Sequence, residues 1–344
     1  MRIYRIIIVL VFNFCLLNYG ASQGVQQEST ARVFKDVFTP KDSFYPEDYE
    51  LFRATLFTYD SENSQLYIYD YEQNNLFNTS INDYKIDGFK EVGRGKGSGP
   101  GEFRNPTSVC IGYTNTGTKI VIVDSDLARV SVWNGESENF EKSFATKRFS
   151  PSRVACTSSE IIVFSSVGSK KGDYLIFNYE GKEIGSIEDP QEKKNIFLDG
   201  GYIVADSKNA FYSSSGRPFI KKFSLDSDAS ISKLFIEPQI SPNKISKPYQ
   251  QGDYILEKRD ENFIYQSRGL GIFENHILVL YSGKKNAYGD VIDFYDLDLN
   301  YQFSSKIDLP SQYMTVSGNN LIVRGYDSEI KKAVFKFYQI NSLD

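Results

Sequence analysis

Six short apolar runs recur along this chain, and their spacing limits its fold more than any other feature. They are Leu66-Tyr67-Ile68-Tyr69-Asp70, Ile120-Val121-Ile122-Val123-Asp124, Ile161-Ile162-Val163-Phe164-Ser165, Tyr202-Ile203-Val204-Ala205-Asp206, Ile277-Leu278-Val279-Leu280-Tyr281 and Leu321-Ile322-Val323-Arg324-Gly325. Their last residues lie 54, 41, 41, 75 and 44 positions apart. Units of four strands repeat every 40 to 50 residues or so. A second strand and a tight turn follow each run; residues 129–133, for instance, lead into Asn134-Gly135, a hairpin signal. No window sustains a 3.6-residue period, so little helix is expected. The runs therefore imply six antiparallel sheets fanned about an axis. The 75-residue gap is expected to hold an exposed insertion at about 238–260, rich in Pro, Ser, Lys and Gln. A degenerate seventh unit within 207–276 is the rival count.

Such a ring needs closing. The chain ends in Ala333-Val334-Phe335-Lys336-Phe337-Tyr338-Gln339-Ile340, a third strand without a fourth. Residues 31–37 offer the partner, and pairing the two would remove an open edge. The 24 Tyr and 26 Phe fit a strand-building chain. The first residues read as an address: Arg2 and Arg5 precede the apolar run 6–12, and Gly20-Ala21-Ser22 supply the small residues of a cleavage site. That run is too short to span a bilayer. Phe12, Asn13 and Phe14 depart from a lipobox before Cys15, so lipidation is not expected. The expectation is a signal peptide at 1–22 and a single domain at 23–344, without a further span, in the periplasm or at the cell surface. Removing the two leader arginines from 39 basic residues leaves 37 against 44 acidic ones. This mildly acidic balance speaks against a nucleic-acid or anionic-membrane partner. Cys110 and Cys156 remain, on the first strands of neighbouring repeats. Counted from Pro106 and Pro151 they are one residue out of phase, which favours two buried, unbonded thiols over the disulfide an exported chain can form.

The approach to the second repeat is Gly93-Arg94-Gly95-Lys96-Gly97-Ser98-Gly99-Pro100-Gly101-Glu102-Phe103, then Arg104-Asn105-Pro106. A P-loop needs Ser or Thr after its lysine, and Gly97 stands there. A dinucleotide fingerprint needs a helix after the glycines, whereas the residues following Pro106 are β-branched and alternating. This stretch, with 107–111, 120–124 and 129–133, instead resembles the blade opening G-x-G-x-G-P-G-x-F-x-x-P of NHL-repeat and TolB-like β-propellers. One full blade carries the resemblance by motif and the other repeats by pattern. It implies an all-β, six-bladed β-propeller with four-stranded antiparallel blades, closed by N- and C-terminal strands. Within it the glycines carry the chain across one face, Phe103 plugs between blades, and Pro106 opens an inner strand. Asp124 and Arg129 recur in the motif and are expected to form a structural bond between two strands.

Two readings attach to the loop charges. Arg94, Lys96, Glu102 and Arg104 either touch a ligand or keep a crossing loop soluble. Catalytic signals are thin elsewhere. His276 is the single histidine, placed at a strand edge, and cannot supply both a metal ligand set and an acid or base. Asp293, Asp296 and Asp298 alternate but lack the glycine and terminal Glu of a calcium loop, so they read as solvated turn carboxylates. Asn78-Thr79-Ser80 fits a glycosylation sequon. Phe44-Tyr45, Tyr49 and Phe52 could stack on a sugar or belong to the core. No catalytic residue, metal or cofactor is expected. The resemblance implies an exported, non-enzymatic binding scaffold whose partner is an envelope protein or a glycan. The alternative is a propeller lyase or hydrolase using a channel-bound cation.

Overall fold

The central strands of the described sheets are apolar on both faces, and the packing explains why. In Ile161-Ile162-Val163-Phe164, residues 161 and 163 enter one hydrophobic cluster while 162 and 164 enter the next. Ile120 and Ile122 part in the same way from Val121 and Val123, as do Leu66 and Ile68 from Tyr67 and Tyr69. Successive strand residues point to opposite faces, so a sheet packed on both sides needs an unbroken apolar run.

The computed structural model describes residues 31–146, 150–165, 174–188, 200–238, 249–251, 254–256, 262–284 and 288–343. The expected signal peptide and most of the 238–260 insertion lie outside the described residues. Strand β1 is Phe38–Phe44. One sheet follows from β2 (Ala54–Asp60), β3 (Gln65–Asp70), β4 (Asn75–Asn82), β5 (Lys85–Ile86) and β6 (Lys90–Glu91). The next holds β7 (Pro106–Thr114), β8 (Gly117–Asp124), β9 (Arg129–Asn134) and β10 (Phe140–Ala145). Then come β11 (Arg153–Cys156), β12 (Glu160–Phe164), β13 (Tyr174–Asn178) and β14 (Glu183–Ile187). A further sheet contains β15 (Gly201–Ala205), β16 (Asn209–Ser214), β17 (Phe219–Ser224) and β18 (Ser230–Leu234). A hairpin of β19 (Tyr249–Gln251) and β20 (Tyr254–Leu256) stands apart. The last sheet has seven strands: β21 (Tyr265–Phe273), β22 (His276–Lys284), β23 (Gly289–Asp296), β24 (Tyr301–Ser317), β25 (Asn320–Asp327), β26 (Lys332–Ile340) and then β1. All these pairings are antiparallel.

Two features of that last sheet matter. In β24, residues 301–306 pair with β23 and residues 311–317 with β25, so one long strand ends one quartet and begins another. The closing strand is β1, with Phe38 opposite Ile340 and Phe44 opposite Phe335. This corrects the expectation of 31–37 by one strand length. Phe38 and Phe44 are both buried, on opposite faces of a strand that bulges between Pro40 and Ser43, whereas Val33 and Phe34 are exposed and cannot sustain a packed strand. Residues 33–35 lie instead beside Ser304, which donates its N–H to the Val33 carbonyl (2.8 Å) and accepts from Lys35 (2.9 Å).

Cys110 and Cys156 form a disulfide, which corrects the expectation of two free thiols. The phase count fails because β7 carries a bulge: Pro106 pairs with Asp124 and Ser108 with Val123, leaving Thr107 as an extra residue. Past the bulge, Cys110 and Cys156 pack against the same core cluster between neighbouring sheets. Asp293 is also corrected. It is fully buried and ion-paired to Arg32 at 3.0 Å rather than solvated, while Asp296 caps its turn as expected. Asn78 is buried, with its amide on Gln65 and Glu138, so the sequon is closed in the folded chain. Phe44 is core, stacked on Phe335 at 5.0 Å, and Phe52 lies at the surface.

Candidate functional site

The first strand of each repeat faces inward. Strands β2, β7, β11, β15, β21 and β24 touch in sequence, and β24 touches β2, so they close a ring. They enclose a channel of about 450 Å³. Each inner strand begins at the same end of it. The Arg153 guanidinium, at the start of β11, donates to Thr107 O (3.0 Å) in β7 and to Gly201 O (2.5 Å) in β15. The Tyr71 hydroxyl reaches Pro106 O at the start of β7. Arg324 donates to Ala54 O (2.6 Å) at the start of β2 and to Gln312 Oε1 (3.2 Å) in β24. Gln266 N binds Ser215 O, tying β21 to the approach to β15.

Bulges gather at this mouth. Thr55, Thr107, Arg268 and Gln312 are each the unpaired extra residue near the start of an inner strand. A bulge bends its strand and re-aims its side chain. The opposite end is hydroxylic. There the Tyr113 hydroxyl, Ser317 and Ser61 form a hydroxyl network, with Tyr113 Oη and Ser317 Oγ at 3.2 Å and Ser317 Oγ donating to Ser61 Oγ at 2.9 Å.

The channel wall is aliphatic and hydroxylic, with Tyr71, Tyr113, Tyr202 and Tyr313 as aromatic surfaces. Arg153 is the one charged side chain among the described residues that line it. Burial pushes the Tyr71 hydroxyl up to about 12, against the opposing charge of Arg153, so it stays a neutral donor at physiological pH. Burial also lowers Arg324, which bonds to a carbonyl and an amide oxygen rather than to a carboxylate. Such a surface can stack on an apolar ring and donate hydrogen bonds. Among the described residues, no three His, Cys, Asp or Glu side chains gather where they could hold a metal ion.

The expected site residues lie outside the channel. Arg94, Lys96 and Arg104 are exposed on the glycine loop, and Glu102 folds back so that its carboxylate accepts Gly99 N at 2.7 Å. A Cβ on Gly93 would meet Asn75 Oδ1 at 2.3 Å and Leu76 N at 3.0 Å, so close approach requires that glycine, and one on Gly97 would displace the Glu102 carboxylate, which would lie 2.0 Å away. Phe103 is buried between Tyr69 and Trp133, at 5.3 and 5.4 Å. Asp124 and Arg129 sit opposite each other but bond to the loop. The carboxylate accepts Arg104 N (2.7 Å) and Asn105 N (3.1 Å), and the guanidinium donates to the carbonyls of Ser98, Gly99 and Glu102. Arg129→Met should therefore cost about 1–3 kcal/mol in urea unfolding by leaving those carbonyls short of a partner. A loss below about 0.5 kcal/mol, the range of an ordinary surface change, would contradict this role.

Sequence reasoning missed Arg153, Arg268 and Arg324. Their only local signal is an arginine inside or opening an otherwise apolar strand, as in Leu321-Ile322-Val323-Arg324. Neither a protein-family model nor a curated protein matches the chain. Solved structures match its fold. The WD40 repeats of RRP9 align at 9% identity and a TM-score of 0.53, covering 88% of this chain and 100% of that one. U3-55K aligns at 9% and 0.52, covering 87% and 99%. A protein of Bacteroides fragilis described as exported aligns at 13% and 0.51, covering 92% and 93%. At such identities the likeness carries the fold alone: an all-β chain of several four-stranded antiparallel sheets, of β-propeller type.

Proposed function

We propose that this chain is an exported, non-enzymatic six-bladed β-propeller of NHL-repeat or TolB-like type, binding a partner of the cell envelope at the bulged mouth of its channel. The observation that carries the reading is the channel itself. Its wall offers tyrosine faces, hydroxyls and arginine but no carboxylate or histidine among the described lining residues, a set suited to recognition rather than to proton transfer or cation chemistry. The count of six rests on the ring of inner strands and on β24 serving two quartets. The glycine loop with its buried Phe103 supports the family reading. Export is supported by the leader pattern at 1–22 and by the disulfide, a bond that persists in oxidising compartments. Arg94, Lys96 and Arg104, on the loop that leads into β7, extend the contact surface for a large partner, and Glu102 braces them.

Immobilised mature protein (residues 23–344) incubated with envelope extract and with a glycan array should retain a protein or sugar. Tyr313→Ala should release it, because the ring is one wall of the mouth. Alanines at Arg94, Lys96 and Arg104 should weaken retention a few-fold. Retention of nothing, or equal retention by Tyr313→Ala, would end this reading.

A further inference from the structure

Among the described residues, two largely buried cations have acidic partners: Arg32 pairs with Asp293 and Glu237, and Lys119 with Glu141. At the channel mouth the pattern breaks. Arg153, Arg268 and Arg324 make no ion pair with any described residue. Arg153 and Arg324 satisfy part of their donor set on carbonyl and amide oxygens. Arg268 does not. It is only 8% exposed, and its Nε has no hydrogen-bond partner. Its guanidinium lies over the rings of Tyr265 (4.9 Å) and Tyr313 (5.4 Å). Arg324, opposite Tyr313 in the β24–β25 register, lies 6.0 Å from the same ring. The Tyr71 hydroxyl bonds to Pro106 O and Arg153 to the neighbouring Thr107 O, which brings the third arginine to the same end of the channel.

A buried guanidinium nitrogen without an acceptor is unfavourable unless something else supplies the acceptor. Arg268 is also a bulge residue, with Ser267 opposite Tyr281 and Gly269 opposite Leu280. The local backbone therefore departs from regular pairing at a buried arginine whose Nε has no partner. We propose that the mouth is an oxyanion-binding site. A carboxylate, sulfate or phosphate group of the ligand seats against Arg268, while Arg153 and Arg324 add positive field. Tyr71 and Tyr313 flank the uncharged remainder of the ligand. Planar guanidinium forks suit all three anions, which share paired oxygens. The inference rests on the mouth being the binding surface, and it names the chemistry recognised there.

The test uses the mature protein at constant ionic strength, titrated with sodium glucuronate, acetate, phosphate and sulfate, with chloride and glucose as controls. At least one oxyanion should raise the melting temperature saturably, and neither control should. Response to glucuronate or acetate alone assigns a carboxylate ligand; response to phosphate or sulfate assigns an ester of that acid. Arg268→Met should weaken the responding anion on the order of ten- to a hundredfold. Without anion it should melt no lower than wild type, because it removes an uncompensated charge at similar volume. Arg268→Lys should keep part of the response. No shift with any oxyanion overturns the proposal, as does an Arg268→Met variant that melts lower yet responds unchanged. If Arg268→Met retains the envelope partner as wild type does while Tyr313→Ala loses it, the anion site falls and the mouth reading stands.

Discussion

Replacing Arg32 by methionine is expected to cost about 3–5 kcal/mol, the penalty for breaking a buried ion pair and leaving one charge behind. Asp293 is fully buried on β23 and accepts Arg32 Nε and Nη2, both at 3.0 Å, and Ser304 Oγ at 2.6 Å. The same guanidinium donates to Glu237 (2.7 Å) and Ile236 O (3.1 Å) and lies 4.3 Å over the Tyr281 ring. One side chain thus fastens the N-terminal segment across two sheets. The loss should depend on pH. Burial pushes the Asp293 carboxyl above its usual 3.8, with Arg32 opposing the shift. A raised carboxyl contributes stability at low pH that is lost as pH rises through the folded value. Without Arg32 the shift grows, so urea unfolding should show a larger deficit near pH 8 than near pH 5. Adding Asp293→Asn should recover part of the loss, since the stranded charge is then gone. An equal deficit at both pH values would refute this account.

Reduction of Cys110–Cys156 should remove a stabilisation of similar size. The bond closes a loop with a sequence separation of 46, and constraining such a loop in the unfolded chain is worth about 4 kcal/mol in the chain-entropy model. It joins β7 to β11, inner strands that touch around the channel but belong to different sheets. Both sulfurs also sit at the edge of a shared hydrophobic cluster, so Cys→Ser at either position adds a packing loss. The check is urea unfolding with and without reductant, with thiol counting to prove the bond is open. An unmoved midpoint with both thiols free would show that the sheets are held together without it.

What sequence alone determined is the repeat and the two-sided strands, because these follow from a period of two that every residue obeys locally. Ile161 to Phe164 must supply two cores, one on each face of the strand. The glycine loop belongs in the same class. Gly93 and Phe103 are read correctly from sequence, since close approach and a buried ring are demands made within one short stretch. The closing strand was only half visible: an N-terminal partner for 333–340 was implied, but the choice of 38–44 over 31–37 depends on which phenylalanines find a core. Parity past Pro106 was beyond reach for a similar reason. A bulge at Thr107 exists because of the pairing with β8, and it alone brings Cys110 level with Cys156. The arginine mouth is the extreme case. Arg153, Arg268 and Arg324 come from three separate repeats, and each reads locally as a polar interruption of a strand. Only closing the inner strands into a ring brings them to one end, where no carboxylate meets them and Arg268 is left with a buried, unpartnered Nε.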